Sequence, residues 1–303
     1  MSELLTKEAK SIERLKAFEP LEGYYLAFSG GKDSGVCKAL MEIAGVKYDA
    51  HYRVTSVDPP ELVRFIRDKH PDVEREVPRD DNGKPITMWN LIPRKLMPPT
   101  RLIRYCCSEL KEDGGDGRMT VTGVRWAESP NRAKNQGPVT IPVKAARKSF
   151  ADDPNFQLTN KGGVVLVNDN ADSRRMIESC YKRHKTTVNP IIEWTDDEVW
   201  DFIRAHGISY CELYDCGFKR LGCVMCPMAS KKERQRERAL WPKIEQAYLS
   251  AFDRMLKERQ LKERQLKERQ LKERPTAWQT PQDVMNWWLE TGVLPGQYEM
   301  EDL

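Results

Sequence analysis

The sequence lacks the features of membrane and secreted proteins. No apolar run in its 303 residues approaches the length that crosses a bilayer. Residues 1–7 do not contain the apolar core of a signal peptide. The formal net charge of +4 is too small to indicate a nucleic-acid partner by itself. We therefore expect a cytoplasmic protein without a membrane partner.

The Walker-type phosphate motif G-x-x-x-x-G-K-[ST] is also absent. A different glycine-rich loop, S-G-G-K-D-S, occupies residues 29–34. It follows an apolar run at 24–28 that is typical of a buried parallel strand, and it precedes helical apolar spacing at Val36, Ala39 and Leu40. A strand, a small-residue loop and a helix N-terminus form an anion site, because unpaired N–H groups converge there. We therefore predict a phosphate site rather than a purely structural turn.

Each residue of this loop has chemistry suited to a nucleotide. Gly30 and Gly31 let the backbone approach a phosphate and can take positive φ. Lys32 supplies a mobile positive charge, and Asp33 supplies a carboxylate that could orient a magnesium ion or cap the helix. The loop also carries two hydroxyl groups, on Ser29 and Ser34.

Alternating strand and helix patterns predict an α/β fold with a parallel sheet and helices on both faces. Strands are expected at 24–28, 48–54 and 119–124. Residues 131–172 are loop-like around an apolar run at 164–167, which predicts a hairpin-like insertion. We place a nucleotide-binding domain with the cysteine site at 1–230 and a helical extension at 231–303.

The extension contains a repeat of Leu-Lys-Glu-Arg-Gln over residues 256–274. A period of five advances about 140° per repeat on an α-helix, so the leucines spiral around it and form no single seam. Glu-to-Lys pairs four residues apart stabilise such a helix by a few tenths of a kcal/mol each. We expect a long solvated helix that ends at Pro275, and a basic nucleic-acid arm is the alternative. Apolar residues at 284–289 predict a short helix that packs on the body.

Eight cysteines in a reducing compartment are more typical of metal ligands or catalytic thiols than of disulfides. The pair Cys106-Cys107 and the C-x-x-C of Cys223 and Cys226 give four thiolates, the usual complement of a 4Fe–4S cluster. A structural Zn²⁺ is the alternative, since spacing alone does not separate the two. Cys37 is expected in the core. Three further cysteines leave the ligand set open, namely Cys180, Cys211 and Cys216.

The chain resembles the phosphoadenosine phosphosulfate (PAPS) reductase family of the adenine nucleotide α-hydrolase-like superfamily. The loop at 29–34 resembles the PP-loop of N-type ATP pyrophosphatases, which cleave ATP between the α and β phosphates. Four further motifs follow in the family's order: R-Y-C-C-S-E-L-K at 104–111, G-V-R-W-A-E-S at 123–129 with Arg132, N-P-I-I-E-W at 189–194 with Val199-Trp200, and L-Y-D-C-G-F at 213–218 running into Gly222-Cys223. The resemblance implies a Rossmann-like (HUP-type) sheet, and it does not cover the C-terminal quarter.

The resemblance also implies roles for particular residues. ATP would be bound by Ser29, Gly30, Gly31, Lys32, Asp33 and Ser34, with further nucleotide contacts from Gly123, Val124, Arg125 and Arg132. Planar, always-charged guanidinium groups suit phosphate or sulfate oxygens, and surface salt bridging is the alternative for both arginines. The implied catalytic residues are Lys32, Asp33 and Arg125. The implied cluster ligands are Cys106, Cys107, Cys223 and Cys226.

Two departures separate the sequence from sulfonucleotide reductases. Those enzymes usually lack an intact S-G-G-K-D-S loop, because their substrate carries sulfate where ATP carries pyrophosphate. They also use a mobile cysteine in a Glu-Cys-Gly-x-His tail, whereas no cysteine follows Cys226 here. The combination looks more like the ATP pyrophosphatases of DNA phosphorothioation and tRNA thiolation, in which ATP adenylates an oxygen and sulfur replaces the AMP.

We therefore predict an ATP pyrophosphatase that activates an acceptor by adenylylation for sulfur transfer. Its expected cofactors are ATP, Mg²⁺ and a 4Fe–4S cluster. Its expected partners are a nucleic-acid acceptor and a sulfur donor protein such as a cysteine desulfurase, and its oligomeric state is left open. The alternatives are a phosphoadenylyl- or adenylyl-sulfate reductase that uses a different thiol, and a non-catalytic ATP-binding sensor whose repetitive helix is an interaction arm.

Overall fold

The structure is a computed structural model that describes residues 2–112, 114–141, 154–159, 163–166, 186–268 and 278–290. The chain forms two compact units, each assembled from three segments. The first, here the sheet unit, comprises Met1–Arg53, Pro60–Glu76 and Gly114–Leu221. The second, here the cysteine unit, comprises Val54–Pro59, Val77–Asp113 and Gly222–Leu303. The domain boundary after residue 230 stays a prediction.

The sheet unit is built on a mixed sheet of eight strands. They are β1 Tyr24–Ala27, β2 Tyr48–Arg53, β3 Glu74–Glu76, β4 Met119–Val121, β5 Val139–Ile141, β6 Phe156–Leu158, β7 Val164–Leu166 and β8 Thr186–Val188. Their order is β3-β2-β1-β4-β8-β5-β7-β6. The first five strands in this order pair in parallel, and β5, β7 and β6 continue the sheet antiparallel. The α/β class is confirmed, and the antiparallel arm is the predicted insertion.

Strand β1 lies at the centre of the parallel part, and its sequence suits that place. Tyr24, Tyr25 and Leu26 are all buried, as expected for a strand covered on both faces. The chain proceeds from β1 through β2 to β3 on one side, and later places β4 and β8 on the other. The carboxyl ends of β1 and β4 therefore flank the topological switch point, where open α/β sheets bind ligands.

The helices follow the sequence pattern closely in the sheet unit. Their bounds along the whole chain are α1 Ser2–Ala17, α2 Lys32–Ala44, α3 Pro60–Lys69, α4 Met88–Lys95, α5 Tyr105–Cys107, α6 Pro130–Asn135, α7 Asp196–Ala205, α8 Lys231–Leu240, α9 Pro242–Glu268 and α10 Pro281–Glu290. Thr195, followed three residues later by Glu198, predicts a capping box, and helix α7 begins with it. The N–H of Glu198 donates to the Thr195 hydroxyl at 3.3 Å, and the N–H of Thr195 donates to the Glu198 carboxylate at 2.7 Å.

Helix α9 organises the cysteine unit by packing against α4 and α10. The rings of Tyr248 and Phe252 on α9 lie 4.8 and 5.7 Å from that of Trp288 on α10. Along the repeats, Leu256 is 5% exposed and Leu261 is 50% exposed, as a five-residue period requires. The predicted helix is confirmed as far as Glu268, and the predicted short helix at 284–289 is part of α10. The repeats after residue 268 lie outside the described residues.

The sequence pattern underestimates the helices of the cysteine unit. The sequence at 88–92 predicts one helical turn, whereas α4 continues to Lys95. Helix α8 is not predicted because charged residues surround it on all sides. The sequence at 101–111 predicts a helix, but α5 begins only at Tyr105 and continues as a π-helical turn at Ser108–Glu112. Cys37 is fully buried as predicted, while Cys180 lies outside the described residues. Within the described part of the chain, no helix is both long and apolar enough to cross a membrane.

Candidate nucleotide site and cysteine cluster

The predicted nucleotide loop connects β1 to α2 at the switch point. Gly30 has a φ of 73°, and a Cβ atom there would lie 2.7 Å from the side chain of Ile66. The hydroxyl groups of Ser29 and Ser34 lie 3.2 Å apart, and the Ser34 hydroxyl donates to the Gly31 carbonyl at 2.9 Å. These contacts close the loop into a tight turn at the N-terminus of α2.

We expect Gly30→Ala to lower the free energy of unfolding by about 3 kcal/mol, because alanine would combine backbone strain with a clash. Gly35 is the matched control, since it lies in α2 and a methyl group added there would meet no atom within 4 Å. Gly35→Ala should stabilise the protein slightly, because alanine favours the helix. Urea unfolding of both variants checks the prediction, and equal midpoints would contradict it.

Two buried cations meet at the N-terminal end of α2. Lys32 is 5% exposed and Arg125 is 3% exposed. The Lys32 Nζ lies 3.0 Å from Asp196 Oδ1 and 3.5 Å from Asp33 Oδ2. Arg125 donates from Nε to Asp33 Oδ1 at 2.7 Å and from Nη2 to Asp196 Oδ1 at 2.9 Å. Each carboxylate contacts both cations, so the four residues form one network, here called the four-charge network.

The four-charge network changes the pKa values of two of its members, Asp196 and Arg125. Burial disfavours the charged form of Asp196, but hydrogen bonds from Lys32 and Arg125 outweigh it and lower the pKa of this carboxyl. Burial likewise disfavours the charge on Arg125, yet Asp33 and Asp196 raise the pKa of the guanidinium. Asp196 and Arg125 therefore stabilise each other in their charged forms.

A segment far along the sequence also fixes Lys32. Its backbone N–H donates to the hydroxyl of Tyr214 at 2.9 Å, although the two residues are 182 positions apart. Its Nζ donates to the Lys219 carbonyl at 3.4 Å and lies 5.7 Å from the centre of the Tyr214 ring. The first orphan N–H of α2 is thus satisfied by a side chain from outside the helix.

The segment after β4 contains three further predicted contact residues, Gly123, Val124 and Arg132. A Cβ atom on Gly123 would lie 2.9 Å from Asp33, so only glycine permits this close approach. Val124 is half-buried and precedes Arg125. Arg132 pairs with Glu128 instead of joining the four-charge network, and burial lowers the pKa of its guanidinium. The predicted nucleotide contact of Arg132 stays a prediction.

The four predicted ligand cysteines all lie in the cysteine unit as free thiols. A hydrogen bond between Cys106 and Cys107 raises the pKa of the first and lowers that of the second. The charges of Cys223 and Cys226 also raise the pKa of Cys106, so the two pairs are near each other. The other candidate ligands in the described chain lie in the sheet unit, namely Cys211 and Cys216.

Helices α8 and α9 of the helical extension form hydrogen bonds with the C-x-x-C loop. Met225 has a φ of 57°, and its N–H donates to the Glu237 carboxylate of α8 at 2.6 Å. The hydroxyl of Tyr248 on α9 donates to the Val224 carbonyl at 3.3 Å. The N–H of Val224 donates to the Val57 carbonyl at 2.8 Å. The residues after 230 therefore position the loop that carries two of the candidate ligands.

The donor set fits an anionic iron–sulfur cluster. Burial raises the pKa of Cys223 to about 11, and the neighbouring Lys111 ammonium opposes this rise. In return, the charge of Cys223 raises the pKa of Lys111. Among the described His, Cys, Asp and Glu residues, no three are arranged around a single ion. This result argues only against a site that holds one metal ion, because each thiolate of a cubane cluster binds a different iron.

With the geometry in place, we compared the chain with known proteins. The family described as phosphoadenosine phosphosulfate reductase domain matches residues 23–229. The chain belongs to this family. The PAPS reductase domain thus includes the nucleotide loop and all four candidate ligands, and the family predicted from the five motifs is confirmed.

Individual relatives of this PAPS reductase-family chain are distant or match locally. An uncharacterized protein of Methanocaldococcus jannaschii is 23% identical over 276 residues, which cover 84% of this chain and 56% of that protein. An adenosine 5'-phosphosulfate reductase of Staphylococcus saprophyticus is 50% identical over 42 residues, or 14% of this chain and 17% of that protein. The chain spans about half the length of the curated relatives that it matches most extensively.

Among solved structures, the FMN adenylyltransferase of Candida glabrata in complex with FAD and inorganic pyrophosphate covers 74% of this chain. The match covers 64% of that protein, with 15% identity and a TM-score of 0.41.

Sequence reasoning missed two residues of the candidate site, Asp196 and Tyr214. Asp196 lies in a segment that the sequence explains fully as a helix start, and Tyr214 lies in a family motif without a role of its own. A signal for Asp196 was present, because it follows parallel strand β8 and acidic residues after parallel strands reach the carboxyl edge of a sheet.

Proposed function

We propose that this protein is an ATP pyrophosphatase that adenylylates an oxygen of an acceptor and exchanges that oxygen for sulfur. The four-charge network carries the proposal. Two buried cations lie at the N-terminus of α2, beside the glycine-rich loop that follows strand β1. Charge and N–H donors directed at one point are what a triphosphate requires.

In the first step, an acceptor oxygen attacks the α-phosphorus of ATP. The bond from this phosphorus to the oxygen bridging to the β-phosphorus breaks, and pyrophosphate leaves with the electron pair. Lys32 and the loop N–H groups stabilise the charge that develops on pyrophosphate, and Arg125 orients the phosphates through its fixed donors. Asp33 would orient Mg²⁺, which when bound would balance charge on the β and γ phosphates.

In the second step, sulfur at the oxidation level of sulfide attacks the atom that carries the activated oxygen. AMP leaves with that oxygen, so the exchange requires no net electron transfer. Cys106, Cys107, Cys223 and Cys226 would hold a 4Fe–4S cluster that either stabilises the fold or holds the sulfur to be delivered. The sulfur itself would come from a donor protein such as a cysteine desulfurase, whose persulfide would be reduced to the level of sulfide by two thiols that become a disulfide.

Release of AMP and pyrophosphate tests this proposal. Protein purified anaerobically is incubated with ATP and Mg²⁺, alone and with transfer RNA or duplex DNA. Stoichiometric AMP and pyrophosphate support the proposal, and their absence under every condition would refute it. ATP binding without turnover would instead favour a nucleotide sensor.

A sulfonucleotide reductase is the second candidate, favoured by the local 50% identity to an adenosine 5'-phosphosulfate reductase. This activity would release sulfite from adenylyl sulfate or its 3'-phosphorylated form, with thioredoxin or glutathione as the reductant. Sulfite release without pyrophosphate release from ATP would replace the first proposal by this one.

We propose nucleic acid as the acceptor because exposed cations surround the cysteine loop. Arg101 is exposed, and its Nε donates to the carbonyl of Pro227 at 3.0 Å, next to the C-x-x-C. Lys231 and Lys232 follow closely in the sequence and are exposed at the start of α8. Cations of this kind bind phosphates without reading bases.

We expect the double substitution Lys231→Ala, Lys232→Ala to weaken transfer-RNA binding and to reduce its dependence on salt. Loss of two phosphate contacts should lower the slope of log Kd against log salt by up to about 2. Fluorescence anisotropy measures this slope between roughly 50 and 200 mM salt, because phosphate contacts make the affinity strongly dependent on salt in this range. The control, Lys84→Ala with Lys243→Ala, removes two other exposed lysines of the cysteine unit. Equal slopes for both double variants would contradict the prediction.

A further inference from the structure

Asp196 has a different environment from the other members of the four-charge network. Its side chain is 57% exposed, whereas the side chains of Lys32 and Arg125 are 4% and 3% exposed. Both cations contact the same oxygen, Oδ1, at 3.0 and 2.9 Å. Asp33, at 23% exposure, is the less accessible carboxylate. Asp196 therefore lies between the two buried cations and solvent.

The helix that contains Asp196 does not require this carboxylate. Thr195 and Glu198 already form the capping box of α7. Glu198 is additionally fixed by Lys7, whose Nζ lies 2.7 Å from its carboxylate. The neighbouring Asp197 is exposed in the same turn and supplies a negative charge to the helix N-terminus. The contacts of Asp196 with Lys32 and Arg125 thus serve the nucleotide loop and not the helix.

An anion that reaches Lys32 Nζ and Arg125 Nη2 from solvent must take the place of Asp196 Oδ1. A cation cannot give its full interaction to a carboxylate and to a phosphate oxygen at the same point. We infer that Asp196 is a resident counter-ion that competes with phosphate groups for Lys32 and Arg125. Its return to the two cations promotes departure of the product pyrophosphate. This role rests on the proposed function for its ligand, a nucleotide or pyrophosphate.

The inference predicts that removing the charge of Asp196 strengthens the binding of pyrophosphate. Asp196→Asn keeps the shape and removes the competing charge, so pyrophosphate should bind roughly 10-fold more tightly, given the modest strength of a half-exposed ion pair. Asp196→Ser removes the same charge with a smaller side chain and should shift the affinity in the same direction. Asp196→Glu restores the charge and should return the Kd towards that of the wild type.

Isothermal titration calorimetry with Mg²⁺-pyrophosphate measures these affinities on the full chain. Asp197→Asn is the matched control, because it removes an exposed charge from the same turn without touching the two cations. Tighter binding by both neutral variants at position 196, and unchanged binding by the control, would support the inference. Unchanged or weaker binding by those variants, or no pyrophosphate binding by any variant, would overturn it.

Failure of this inference and failure of the proposed function give different results. The calorimetric measurement involves no turnover, so it can support the counter-ion role even if no AMP is ever released from ATP. Conversely, ATP cleavage by the wild type with equal pyrophosphate affinities in all variants would retain the proposed function and reject the role of Asp196.

Discussion

Lys32→Ala is expected to lower the rate of pyrophosphate release from ATP by about 10²- to 10³-fold, the usual effect of removing one charged donor from a leaving-group site. The ammonium is buried beside Asp33 and Asp196, so its loss also leaves the network with two carboxylates and one cation. The site would then repel the triphosphate as well as fail to stabilise the product. Single-turnover measurements with saturating ATP separate the loss of rate from the loss of binding.

Lys38→Ala is the control for this substitution because Lys38 belongs to the same helix. It also contacts two carboxylates, those of Glu42 at 2.7 Å and Asp72 at 3.0 Å, away from the loop. Its removal should change the rate by less than about threefold, since such pairs contribute little even to stability. A rate for Lys32→Ala as high as that of the control would show that this lysine does not act on the leaving group.

Cys223→Ser is expected to remove most of the iron and sulfide from protein purified anaerobically. The wild type should contain about four of each per chain if the four thiolates hold a cubane cluster. Serine keeps the shape of the side chain but is a poor ligand for iron in such clusters. Iron and sulfide assays, together with the visible absorption spectrum, measure the loss.

Cys216→Ser provides the comparison, because Cys216 is an exposed thiol of the sheet unit. It should retain the full iron and sulfide content. Zinc instead of iron in the wild type would establish the structural zinc site, and equal iron loss in both variants would require a different ligand set.

The nucleotide loop was predictable because its strand, turn and helix are contiguous in the sequence. The constraint on Gly30 was predictable only in part. Its need for positive φ follows from the turn, but its contact with Ile66 depends on how α3 packs. Local sequence patterns therefore locate the loop, but they do not predict which side chains pack against it.

Asp196 and Tyr214 could not be assigned because their roles depend on tertiary placement. The sequence around Asp196 has a complete local explanation in the capping box of α7. The hydroxyl of Tyr214 reaches the N–H of Lys32 only once the sheet has formed. The local pattern around Asp196 is fully explained, so only its position after parallel strand β8 indicates a second role.

The sequence predicts the two cysteine pairs as one ligand set, which stays a prediction, but it does not predict the helices that position the C-x-x-C loop. Helix α8 is charged on every side and shows no apolar stripe from which its packing could be inferred. Its fixed point is Arg234, which is buried and donates to the carbonyls of Trp288 and Leu289 on α10 at 2.6 and 3.0 Å. A hydropathy pattern does not predict a buried arginine whose guanidinium caps the C-terminal carbonyls of another helix.

The hydrogen bond between Val57 and Val224 constrains the order of events during synthesis. The ribosome releases Val57 early, whereas its partner emerges only after the whole sheet-forming sequence has been translated. Contacts of such long separation form late and slowly. Until Tyr248 and Glu237 have also emerged, Cys106 and Cys107 have no structured partner loop. A cluster that uses all four cysteines would therefore form only after the residues up to Tyr248 have been synthesised.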